Sequence, residues 1–139
     1  MPQGTKIADA ALKIPCTNEN FLRVWFDLLK PVHKLTQREI DVAIAFVKRW
    51  YELRDTVRDD KQLNRLLLSA QEKKEIMASL GLSKSHMHLI MTKLKQRRIV
   101  VDGKLNYRYI PNYQPGIPFR LMFILENAET TRTDNKEDV

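Results

Sequence analysis

The sequence predicts a mainly α-helical domain with one small β-hairpin, and three observations lead there. Apolar residues recur at three- and four-residue spacing in several stretches, the signature of helices with one buried face. Thr36, Ser69 and Ser83 stand where a side-chain oxygen can cap a helix start. Asp102-Gly103, between two short apolar runs, favours a two-residue hairpin turn. A chain of 139 residues with 43% hydrophobic content suits one domain with extensions and a modest core.

Taken in order, residues 1–17 carry Pro2, Gly4 and Pro15 without a sustained period and read as an arm. Residues 18–31 form an amphipathic helix: Phe21, Val24, Trp25, Leu28 and Leu29 share a face, and Pro31 is expected to stop it. Leu22 and Phe26 widen that face, so two readings stand. It packs on the domain's own core, or Phe21, Leu22, Trp25, Phe26 and Leu29 form an interface in a homo-oligomer. His33 follows in a linker with no visible partner.

The main domain is expected over residues 35–110. Thr36 and Glu39 form a capping box inside a Leu35–Ile40 hydrophobic staple, opening a scaffold helix whose stripe runs Ile40, Ala43, Ile44, Val47, Trp50 and Tyr51. After the polar connection 55–61, a helical turn could start at Asp59 or Asp60. Leu66-Leu67-Leu68 reads either as a short strand or as helix. Ser69 and Glu72 form a second capping box ahead of Ile76, Met77 and Leu80. Gly81 then supplies the positive φ of a tight turn, and Ser83 caps a helix over 83–97 that buries Met87, Ile90, Met91 and Leu94. Its other face carries Lys84, Ser85, His88, Leu89, Thr92 and Lys95. Residues 99–110 make the hairpin, with Asn106 to Ile110 as its returning strand. Beyond it come a loop and an extra strand over 111–125, the strand at Phe119–Leu125, and an acidic tail over 126–139.

The run GLSKSHMHLIMTKLKQRRIVVDGK resembles the winged helix-turn-helix family, with its glycine turn, capping serine, recognition helix and wing. The resemblance implies DNA binding, the recognition helix in the major groove and the wing on the backbone. Lys84, Ser85, His88, Leu89 and Thr92 would then meet base edges, while Lys93, Lys95, Arg97, Lys104 and Arg108 would meet phosphates. Arg98 departs from the pattern, standing where many members carry glycine. The chain is also similar to short winged-helix proteins of tailed phages, crAss-like phages included, in this pattern and in Tyr109 to Tyr113, YIPNY.

Charge points the same way. The chain carries a net +7, but residues 126–139 hold a net −3, leaving +10 on residues 1–125. Ser83 to Ile110 alone carries seven Lys and Arg against Asp102, whereas Arg38 to Arg65 mixes seven positive with six negative side chains. No stretch approaches the roughly 20 apolar residues of a membrane span, so no membrane partner and a cytoplasmic or virion location are expected. Catalytic chemistry has no visible support: there is no glycine-rich phosphate loop and no nucleophile with a local base. His86 and His88, two apart on a helix, point about 200° away from each other and cannot share a metal. No cofactor or metal is expected, and Cys16 alone makes no disulfide. Two functions remain: a dimeric DNA-binding transcription regulator, or a phage virion assembly protein in the capsid or head-to-tail connector, using the same helices for docking or for packaged DNA.

Overall fold

Thr36 opens the longest helix of the molecule as its sequence requires. Its side chain accepts from the Glu39 N–H at 3.3 Å and Glu39 Oε1 accepts from the Thr36 N–H at 2.9 Å, so two otherwise unpaired donors are satisfied. The computed structural model describes residues 10–125, so the acidic tail expected at 126–139 and the first nine residues of the arm lie outside the described residues. Among the described residues, six α-helices precede a hairpin. They are α1 (Phe21–Leu28), α2 (Lys30–His33), α3 (Gln37–Arg54), α4 (Asp60–Leu67), α5 (Ala70–Leu80) and α6 (Lys84–Gln96). The hairpin is β1 (Val100–Val101) and β2 (Lys104–Leu105), antiparallel, with Val100 opposite Leu105 and Val101 opposite Lys104.

The core forms around α3, which packs on α1, α4, α5 and α6. It buries Ile40, Val42, Ala43, Ile44, Phe46, Val47 and Leu53, the stripe that its 3.6-residue period gathers on one side. Leu35, just ahead of the cap, is buried with Ile40, where a staple needs both. The α1 face belongs to this core. Leu22, Trp25 and Phe26 are buried inside the chain itself, and Phe21 and Leu29 pack against the same cluster. Leu22, Trp25 and Phe26 are thus taken up by the chain's own core, as one of the two readings of 18–31 expects, while Phe21 and Leu29 stay partly exposed. The Trp25 indole donates to the Tyr109 carbonyl at 3.1 Å, and an Arg23–Asp41 ion pair ties α1 to α3. Burial pushes the Asp41 carboxyl up, but hydrogen bonds from Arg23 and Arg38 outweigh it and hold the group below its usual range.

Several boundaries differ from the sequence expectations. The first helix ends at Leu28, and Pro31 sits in the opening turn of α2, where a missing N–H costs nothing. His33 is not a linker residue without a partner. It is fully buried, its Nε2 lies 2.7 Å from the Phe26 carbonyl and its Nδ1 accepts from the Leu35 N–H at 3.0 Å. That pattern requires the neutral tautomer protonated on Nε2, and burial lowers its pKa. Leu66-Leu67-Leu68 takes the helical option: Asp59 caps α4, which ends at Leu67. The returning strand stops at Leu105, because Asn106 turns the chain into a 3₁₀ turn over Tyr107–Tyr109 by accepting from the Arg108 N–H at 3.1 Å. Finally, Phe119–Leu125 forms no strand; with the only sheet of the described residues two strands wide, it has no edge partner here.

Candidate nucleic-acid interface

The geometry of α5 and α6 is fixed at both ends by local chemistry. Ser69 caps α5 by accepting from the Glu72 N–H at 3.3 Å, but the second half of that capping box is missing, since the Glu72 carboxylate instead takes Arg49 Nε at 2.9 Å. Gly81 ends α5 with φ +67°, and the Leu82 N–H reaches back to the Met77 carbonyl at 2.9 Å. Arg38 donates to the Leu80 carbonyl, bracing the turn against the start of α3. Ser83 then caps α6 through the His86 N–H at 3.1 Å.

At its far end α6 closes in a Schellman motif. The Arg98 N–H donates to the Lys95 carbonyl at 3.2 Å and the Ile99 N–H to the Leu94 carbonyl at 2.9 Å, with Leu94 and Ile99 both buried. Such a motif needs a left-handed residue between them, and Arg98 has φ +63°. Arg98 therefore adopts the conformation that glycine would take without strain, and the sequence departure leaves the geometry of the hairpin's root intact.

One face of α6 is nailed to the core by Met87, Ile90, Met91 and Leu94, as the period requires. The residues expected at base edges, Lys84, Ser85, His88, Leu89 and Thr92, all stand exposed on the other side. Leu89 is 67% exposed, an apolar side chain held in water in the middle of that face. The Thr92 hydroxyl is bonded within the helix to the His88 carbonyl at 3.1 Å. Lys95 and Arg97 are exposed and Lys93 half-buried at the C-terminal turn, where cations also suit the helix dipole. Among the described residues, no carboxylate forms an ion pair with Lys84, Lys93, Lys95, Arg97, Arg98 or Arg108.

The hairpin is held differently from the rest. The buried Asn64 of α4 accepts from the Leu105 N–H at 2.9 Å and donates to the Asp60 carbonyl at 2.9 Å, so a side chain replaces the third strand that β2 lacks. Lys104, expected on phosphate, instead pairs with Asp60 at 3.0 Å. Both partners are exposed, so the pair is worth about 0–1 kcal/mol and a polyanion could displace it. Sequence reasoning missed Asp60 and Asn64. Neither carries a local signal, since they meet the hairpin across more than 40 residues of chain.

Two further surfaces come into view. A cleft of about 480 Å³ opens beside the hairpin between Trp50, Asn64 and Arg108, and a second of about 420 Å³ shares Trp50 and Asp60 with it. Past the hairpin, the Tyr51 hydroxyl donates to the Pro111 carbonyl and the Tyr113 ring lies 4.4 Å from that of Phe21. Met122, Phe123, Ile124 and Leu125 then run exposed. No helix among the described residues is long and apolar enough to cross a membrane. Comparison with known protein families, with curated proteins and with solved structures finds no match to this chain.

Proposed function

We propose that the chain is a small double-stranded DNA-binding protein of the winged helix-turn-helix type, acting as a transcription regulator, with α6 in the major groove and the hairpin as a wing on the backbone. The observation that carries this reading is the outward face of α6. Lys84, Ser85, His88, Leu89 and Thr92 stand together in solvent, flanked by Lys93, Lys95 and Arg97, and among the described residues no carboxylate neutralises these cations. Short polar and basic side chains on a rigid helix can reach base edges, and the exposed Leu89 suits the methyl group of thymine. Lys104 and Arg108 on and after the hairpin extend the basic surface toward phosphates. Asp60 works against that extension by holding Lys104, which tunes how strongly the wing engages any duplex.

Fluorescence anisotropy on a random 30-base-pair duplex across a salt series tests this. A log-log slope steeper than about −4 is expected, because several phosphates are neutralised together. On a selected site, Lys84→Ala with His88→Ala should cost about 1–3 kcal/mol per lost base contact and less on random DNA. Equal losses on both would reduce the reading to non-specific binding, and no binding at low salt would remove it.

A second reading is favoured by one specific observation, the exposed apolar run Met122 to Leu125. It suits a structural part of a larger assembly, such as a virion, in which that run is covered by a neighbour. Light scattering showing a strict monomer alone and with duplex would count against it.

A further inference from the structure

The hollow of the cleft beside the hairpin is not filled in the duplex reading, which places α6 in the groove and shares with the cleft only Lys104 and Arg108, as phosphate contacts on its edge. Its size, about 480 Å³, falls in the range of small-ligand sites. Its lining includes apolar Val101, Leu105 and Ile110 together with aromatic Trp50 and the exposed Tyr107. Arg54, which lines only the smaller cleft, places its guanidinium 5.3 Å from the centre of the Trp50 ring. The indole is thereby braced from that side where it forms the wall shared by the two clefts.

Charge narrows the ligand. Arg98, Lys104 and Arg108 line the cleft against the single carboxylate of Asp60. Lys104 and Asp60 satisfy each other at 3.0 Å, so Arg98 and Arg108 are left as two guanidinium groups with no carboxylate partner among the described residues. Two such groups match a phosphomonoester, which carries about −1.5 to −2 charges at neutral pH and accepts paired guanidinium donors. Trp50 and Tyr107 in the lining offer aromatic surface to a planar ring.

We propose that this cleft binds a phosphomonoester carrying a planar base, of the nucleoside monophosphate class, with Arg98 and Arg108 on the phosphate and Trp50 and Tyr107 beside the base. The ligand can be a free nucleotide or the 5′-phosphorylated end of a strand, which share this chemistry. Occupancy would sit against the hairpin and the α4 start, so a bound nucleotide would bear on the same wing that Asn64 holds.

Isothermal titration of the intact protein with adenosine monophosphate, without duplex present, tests the site separately from the DNA reading. Saturable binding is expected, at least tenfold tighter than for adenosine or for ribose 5-phosphate. Arg98→Gly with Arg108→Gln should weaken it at least tenfold. Glycine at residue 98 relieves a left-handed backbone, so the double variant should unfold at no lower temperature than the parent. A 5′-phosphorylated trinucleotide that matches adenosine monophosphate identifies a strand end as the source, and one at least tenfold weaker identifies the free nucleotide. No saturable heat up to about 5 mM ligand, or unchanged affinity in the folded double variant, overturns the proposal.

Discussion

Two stretches of similar composition, Phe21–Leu28 and Phe119–Leu125, end up in opposite places. The first, FLRVWFDL, folds as α1 and sinks Leu22, Trp25 and Phe26 into the core. The second, FRLMFIL, forms no regular element and leaves Phe123 85% exposed. Apolar content does not separate them. In α1 a helical period gathers the large side chains on one face and puts Arg23 and Asp27 elsewhere, while the helix satisfies its own backbone. Polar anchors then hold it: Trp25 to the Tyr109 carbonyl, His33 to the Phe26 carbonyl and Arg23 to Asp41. The later stretch meets the core through the Phe119 ring, 5.2 Å from Phe21 and 5.6 Å from Trp25. Without a sheet edge to join, the rest of its apolar surface stays in water.

The sharpest way to break this contrast is Phe26→Ala. Removing a fully buried ring at the α1–core contact should cost about 3–5 kcal/mol in denaturant unfolding. A loss below about 1 kcal/mol would mean that α1 is dispensable to the core. The next effect comes from acid. The folded state lowers the His33 pKa below its ordinary value near 6.5, so the unfolded chain takes up a proton first as pH falls. This contribution is intact above about pH 6.5 and is lost as pH drops from there toward the lowered folded value. The denaturation midpoint should therefore fall between pH 7.5 and 5.5, and the slope should flatten in His33→Gln. A slope unchanged by that substitution would place the acid sensitivity elsewhere. Smallest of all should be Phe123→Ser with Leu125→Ser, within about 0.5 kcal/mol by the same unfolding measurement, because both side chains are already solvated. A larger loss would show that the segment is covered in solution, and light scattering would then show whether a second copy of the chain covers it.

The stretch from α5 through the Gly81 turn to α6 is the most legible part of the chain because its chemistry is local. Gly81 and Ser83 end one helix and start the next within three residues, and the α6 period separates a buried from an exposed face before any tertiary contact is known. The five residues expected at base edges emerged together for that reason. Lys104 did not keep its expected freedom, since its partner Asp60 approaches from α4. The extra strand at 119–125 failed because strand propensity does not supply a hydrogen-bonding neighbour. His33 was misread because its partners, the Phe26 carbonyl and the Leu35 N–H, are backbone groups that no side-chain pattern announces.

The sequence by itself determined the elements whose signals lie within one or two turns: the Thr36 capping box, the Gly81 turn, the Ser83 cap and the stripes of α3 and α6. Tertiary structure alone decided which apolar face became core, how Asn64 replaces a third strand, and which cations around the hairpin have no carboxylate partner among the described residues. The reason is range. Capping and periodicity act over three or four residues, whereas burial and ion pairing depend on groups that the chain brings together only after it has folded.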